Sequence, residues 1–232
     1  MPQATCPREE EPVVLSWSTG KDSAWTLRML RDRGVRVEAL LTSCNVESSR
    51  VTMHGVPTEL LEAQARSLGL PLVRVDLPSP CSNEDYELAM VPRLRSFRDD
   101  GVLGIVFGDL LLVDVRRYRE RQVAAVCLTP WFPLFGSDTG KLARAMIRDG
   151  LRAVVTCVDP RRCPAELTGA EFDERFLEML PDGVDPCGEN GEFHTFAYDG
   201  PGFREPIPVR SGSVVERDGF LFADLLPGFG EP

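Results

Sequence analysis

Histidine is almost absent: His54 and His194 are the only imidazoles in 232 residues. The seven cysteines contain no Cys-x-x-Cys pair. A zinc site therefore lacks ligands. The odd cysteine count, with Cys127 and Cys157 in apolar runs, predicts buried reduced thiols there. Cys163 and Cys187 are the better candidates for exposed thiols. No apolar run is long enough to span a bilayer; Val102–Val113 is broken by Gly104, Gly108 and Asp109. Met1–Pro12 is polar, with Glu9-Glu10-Glu11, and matches neither a signal nor a transit peptide, so a cytoplasmic location is expected. Positive charge is also short. A net charge of −10 argues against a nonspecific nucleic-acid surface, so a nucleic-acid partner is not expected. There is no internal repeat and no low-complexity tract.

What is present suffices for a buried core: 43% of residues are hydrophobic. The first half alternates as βαβ units do. Strands are expected at Val13–Ser16, Val35–Leu41, Leu72–Leu77 and Val102–Phe107. Helices are expected at Ala24–Arg33, Pro57–Leu68, from an Asn83 cap onward with a kink or break at Pro92, and at Arg116–Leu128. Thr129–Pro133 reads as an interruption. A helix capped by Asp138 or Thr139 should precede a fifth strand, Leu151–Val158. Glu171–Leu180 reads as helical, and Val209–Glu216 with Phe220–Ala223 as a hairpin. The predicted class is α/β: a doubly wound, mostly parallel sheet, then a smaller α+β part. Ligands bind such sheets at the strands' carboxyl ends.

Three segments fall at that edge: Ser18-Thr19-Gly20-Lys21-Asp22-Ser23 after strand 1, Thr42-Ser43-Cys44 after strand 2, and Gly108-Asp109 after strand 4. A strand, a glycine turn and a helix N-terminus make an anion site from backbone N–H groups and the helix dipole. Lys21 adds a positive charge. The order does not fit a Walker P-loop. It resembles the PP-loop of the ATP pyrophosphatases, Ser-Gly-Gly-x-Asp-Ser, with Thr19 at the first glycine position. Thr19 is expected either to hold a negative φ or to offer its hydroxyl to phosphate.

A second dense polar segment runs Asp185-Pro186-Cys187-Gly188-Glu189-Asn190-Gly191-Glu192-Phe193-His194-Thr195. Residue types alone leave it open between a solvated turn and a site for metal, ammonium or proton transfer. Gly-Glu-Asn-Gly-Glu-Phe-His-Thr resembles the hallmark of the diphthine–ammonia ligase family, a branch of the ATP pyrophosphatases. Val106-Phe107-Gly108-Asp109, Pro133-Leu134-Phe135 and Asp199-Gly200-Pro201-Gly202-Phe203 resemble it too, so the likeness runs from about Val13 to Phe203. Trp17 beside the loop and Val154–Pro160 look like the bacterial branch, in which the acyl substrate is expected to be a carboxylate other than diphthine.

The resemblance implies a PP-loop (adenine nucleotide alpha hydrolase-like) domain over residues 10–130 and a substrate-binding domain over 131–232. It implies ATP with Mg²⁺, a small or protein-borne carboxylate, and ammonia, and an amide-forming reaction through an acyl-adenylate, releasing AMP and pyrophosphate. Ser16, Ser18, Thr19, Gly20, Lys21, Asp22, Ser23, Thr42 and Gly108 would bind nucleotide. Lys21, Asp109, Glu189, Glu192 and His194 would be catalytic, with Asp109 near Mg²⁺. Glu189, Asn190, Glu192, His194 and Thr195 would bind substrate. A homo-oligomer is compatible. The competing expectations are a tRNA-modifying PP-loop enzyme and a nonhydrolysing ATP or AMP sensor.

Overall fold

The computed structural model describes residues 6–228. Five strands run parallel in the first sheet: β1 (Pro12–Ser16), β2 (Arg36–Asn45), β4 (Leu72–Leu77), β5 (Gly104–Val106) and β6 (Thr129–Trp131). A short strand, β3 (Arg50–Val51), adds antiparallel to the end of β2. Alternation along the strands sends side chains to two faces. Val13, Leu15, Leu40 and Val106 pack with α1 (Lys21–Asp32) and α2 (Thr58–Leu68). Val14, Leu41, Ile105 and Phe107 pack with α3 (Asn83–Asp99) and α4 (Val113–Ala124). Both faces are covered, which is why these strands read as continuous apolar runs.

The C-terminal part is a second, antiparallel sheet in the order β8-β7-β10-β9. Its strands are β7 (Arg152–Val158), β8 (Phe193–Asp199), β9 (Val209–Arg217) and β10 (Phe220–Pro227). Helices α5 (Thr139–Arg148) and α6 (Glu174–Met179), with a 3₁₀ turn at Ala165–Leu167, complete it. The predicted α/β class with a smaller α+β part therefore holds.

Several local expectations change. The strand at 151–158 exists but belongs to the second sheet. The fifth parallel strand is instead β6, inside the segment read as an interruption. Pro130 sits there without harm because β6 pairs only with β5, and an edge strand needs no second N–H ladder. Helix α3 passes through Pro92 unbroken, and its cap is Ser82, not Asn83: Ser82 and Asp85 form a reciprocal capping box. Pro92 is exposed, so the carbonyl it leaves unpaired can meet water. β8 was not expected as a strand.

The cysteines are redistributed as well. Cys163 and Cys187 are buried, and Cys81 and Cys127 are exposed. Cys127 lies beyond the end of α4 at φ +61°, which turns its side chain out of an apolar run. Among the described residues no helix is long and apolar enough to cross a membrane.

Candidate active site

The carboxyl ends of β1, β2 and β5 open onto a cavity of about 460 Å³. Its lining includes Ser16, Ser18, Lys21, Asp22, Ser23, Gly108, Asp109, Glu189, His194 and Thr195. The two polar segments, far apart in sequence, meet here. The Lys21 backbone N–H donates to Thr195 Oγ1 (3.1 Å), and Lys21 Nζ donates to the Cys187 carbonyl (2.5 Å). The free edge of β8 completes the junction, with the Ala197 N–H donating to the Thr19 carbonyl (2.9 Å).

Helix α1 starts at Lys21 with no side-chain cap. Its first-turn N–H groups therefore have no helical partner of their own, at a helix end that favours anions. Lys21 is 2% exposed and lies 2.8 Å from Asp22 Oδ2. Burial alone would lower its pKa; the charge and hydrogen bond of Asp22, with smaller contributions from Cys187 and Glu189, outweigh this and hold the ammonium above its ordinary value.

The loop itself departs from expectation at Thr19. Its φ is +71°, not negative, and its hydroxyl is buried without a partner. It does not line the cavity, so it offers nothing to a phosphate there. A β-branched residue in the left-handed region carries strain of about 1–3 kcal/mol. That conformation aims the Thr19 carbonyl at two donors, the Ala197 N–H and Gln64 Nε2 (2.9 Å). Gly20 adopts an ordinary φ of −85°. Its lack of a side chain serves packing: a Cβ would lie 2.9 Å from His54 Cε1 and 3.2 Å from the Thr195 carbonyl oxygen.

Three further expected site residues point elsewhere. Thr42 is buried and donates to the Trp17 carbonyl (2.9 Å), tying β1 to β2. Strand alternation gives the cavity Leu41 and Ser43 instead. Glu192 is fully buried and clasps its own loop, accepting from the Asn190 N–H (2.9 Å), Asn190 Nδ2 (3.0 Å) and the Asp185 N–H (3.3 Å). Asn190 is consumed in the same clasp. Both support the loop rather than line the cavity.

Glu189 does face the cavity. Its Oε1 accepts from the N–H groups of Leu110 (2.8 Å) and Leu111 (3.0 Å), bridging to the loop after β5. Burial raises its pKa, and those two N–H donors oppose the rise. Asp109 is raised the same way, with Arg119 opposing; Arg119 Nε is 3.0 Å from Asp109 Oδ2. Gly108 lets this strand end close on α1, since a Cβ there would lie 3.3 Å from the Asp22 carbonyl.

The sequence reading missed Arg119 and gave His54 no role. The His54 and His194 rings lie 4.7 Å apart, and His54 Nδ1 is 3.1 Å from the Thr195 carbonyl. A signal existed: the chain has two histidines and two lysines, and three of those four residues line this cavity.

Magnesium fits only loosely. Among the described residues no cluster of three or more His, Cys, Asp or Glu is placed to hold a metal ion. Mg²⁺ is commonly held by one or two carboxylates with substrate phosphates and water. Asp109, close enough to Asp22 to feel its charge, matches that sparser set.

The profile described as diphthamide synthase N-terminal domain matches residues 12–129, and that of the diphthamide synthase C-terminal domain matches 138–221. The chain belongs to the diphthamide synthase family. Among curated relatives it is 25% identical to the diphthine–ammonia ligase of Mus musculus, over 90% of this chain and 86% of the relative. It is 26% identical to that of Danio rerio, over 92% of each. It is also 26% identical to that of Homo sapiens, over 90% of this chain and 86% of the relative. The two family profiles meet the cavity from both sides: the first carries Lys21 and Asp109, the second Glu189 and His194.

Proposed function

We propose that this chain is an ATP-dependent ligase that joins ammonia to a carboxylate substrate, releasing AMP and pyrophosphate, as a PP-loop protein. The observation that carries this reading is the single cavity shared by the Ser18–Ser23 loop and the Cys187–Thr195 segment. Relatives named diphthine–ammonia ligase across nearly the whole length support it.

In this reading the N-terminal end of α1, beyond the Lys21 N–H already taken by Thr195, receives the phosphates together with Ser18 and Ser23. Asp109 would hold Mg²⁺, which would neutralise the departing pyrophosphate. Lys21, charged and rigidly held, contributes positive potential at the same end. Attack of the substrate carboxylate on the α-phosphate makes an acyl-adenylate and expels pyrophosphate. Ammonia then attacks the acyl carbon, and AMP leaves. The neutral imidazole of His194 and the carboxylate of Glu189 are the cavity's candidates to accept ammonia's surplus proton. Residues 10–130 would act as the nucleotide domain and 131–232 as the substrate domain. The acyl substrate is a carboxylate left open by the residues of the site.

The test is a reaction of the purified protein with ATP, Mg²⁺, ammonium and a panel of carboxylates, resolved by chromatography. AMP and pyrophosphate formation that requires a carboxylate supports the reading. ADP and phosphate as the main products refute it.

A further inference from the structure

We propose that Arg119 is a phosphate-recognition residue of the cavity, contacting non-bridging oxygens of the bound nucleotide. The proposal rests on the reading of this cavity as an ATP site.

Two lining side chains carry a positive charge at neutral pH, Lys21 and Arg119. They are not equivalent. Lys21 Nζ spends its protons on both Asp22 oxygens (2.8 and 3.1 Å) and on the Cys187 carbonyl. It is sealed from solvent, so a ligand could reach it only by breaking that arrangement.

Arg119 is built differently. It enters from α4, and its guanidinium lies 4.5 Å from the centre of the Phe107 ring, which fixes its plane. Nε lies 3.0 Å from Asp109 Oδ2 as an ion pair without hydrogen-bond geometry, that oxygen being buried with no hydrogen-bond partner among the described residues. Nη1 is 3.5 Å from Ser16 Oγ, a marginal contact. Nη2 has no hydrogen-bond partner among the described residues, and the side chain is 28% exposed. The guanidinium is thus held by the Phe107 ring and the Asp109 charge, and its Nη2 edge is open. A planar fork matches two oxygens of a phosphate in a way an ammonium does not.

Charge balance points the same way. Asp22, Asp109 and Glu189 line the cavity, and burial raises the pKa of each, with the Asp22 charge adding to the rise of Asp109, and those of Asp22 and Asp109 to that of Glu189. A polyanionic nucleotide entering this acidic cavity needs a cation with free donors, and Arg119 is the lining residue that has them. Asp109 then has a second task. Its charge beside Nε favours the orientation that leaves Nη2 open.

The test is calorimetric titration of the whole protein with adenosine and with AMP. Arg119→Gln should weaken AMP binding at least about tenfold, the lower end for a hydrogen bond to a charged group, and leave adenosine binding unchanged. Arg119→Lys, which keeps the charge and loses the fork, should fall between. Equal losses for adenosine and AMP in Arg119→Gln would mean a structural role and overturn the proposal, as would unchanged AMP affinity. If Arg119→Gln does not fold, Arg119→Lys decides alone, and wild-type AMP affinity in it overturns the proposal. Wild-type protein that binds neither AMP nor ATP would instead overturn the nucleotide reading itself.

Discussion

The backbone N–H of Lys21 donates to the Thr195 hydroxyl at 3.1 Å, joining positions 174 residues apart. One bond of this kind adds about 1 kcal/mol. Its neighbours make the joint rigid. Gln64, fully buried on α2, accepts from Trp17 Nε1 (2.8 Å) and donates to the carbonyls of Thr19 (2.9 Å) and Ala197 (2.6 Å). A single amide thus ties the loop after β1 to β8.

That joint leaves no room at Gly20. An added methyl would sit 2.9 Å from His54 Cε1 and 3.2 Å from the Thr195 carbonyl oxygen. Gly20→Ala should cost about 1–3 kcal/mol of stability, as overpacking does, and push His54 from its place. Urea unfolding measures the cost. A variant as stable as wild type would show that the joint yields easily.

Lys21 presents a separable pair of effects. Removing one partner of a buried ion pair strands the other, at about 3–5 kcal/mol; Asp22 keeps some solvent contact, which favours the lower end. Lys21→Met should therefore lose stability and nucleotide affinity together. Adding Asp22→Asn should restore much of the stability but not the affinity. Urea midpoints and ATP titrations on the single and double variants check this. Recovery of both properties would make Lys21 a structural residue only.

Much of the frame was legible in the chain. The βαβ alternation, the glycine loop and the Gly-Glu-Asn-Gly-Glu-Phe-His-Thr segment all lie where the sequence pointed. What it hid has physical causes. Nothing local tells Val154 and Val155 that their strand joins a second sheet, because sheet membership is a long-range choice. Three-residue β6, with a proline in it, lacks strand propensity and exists through its neighbour. Thr42 and Glu192 carry suitable chemistry, but strand alternation and loop closure turned one toward Trp17 and the other inward. Arg119 lay among the several arginines of α4, and only the fold singles it out.

Glu189 and Glu192 should respond oppositely to the same change. Glu192→Gln weakens hydrogen bonds to a fully buried carboxylate and adds donors where Asn190 and Asp185 already donate. A loss of about 1.5–3 kcal/mol is expected, with adenosine binding kept. Glu189→Gln leaves one oxygen for Leu110 and Leu111, so stability should change less and amide formation more. Denaturant midpoints beside turnover numbers separate them. A catalytic defect in Glu192→Gln at full stability would return that residue to the reacting centre.

The two histidines set an acid dependence with a definite sign. Burial lowers the pKa of His54 to about 3, with the His194 charge adding to it while the Thr195 carbonyl opposes. Burial lowers that of His194 to about 4, with Lys21 adding and Glu192 opposing. Both rings are neutral in the folded protein at pH 7. In the unfolded chain an imidazole titrates near its ordinary value of about 6.5. Between about pH 4 and 6.5 the unfolded state therefore binds more protons, and stability rises with pH across that window. The contribution is fully present above about pH 6.5 and is lost as acid is added. Because the chain has no other histidine, a His54→Gln, His194→Gln double variant removes every imidazole. Its stability should be flatter than wild type between pH 6.5 and 5, measured as urea midpoints at each pH. Carboxylates paired in the fold would still give an acid limb lower down. Identical slopes in the two proteins over pH 5–6.5 would mean that both rings take up protons in the folded state as readily as in the unfolded chain, and that burial does not hold them neutral.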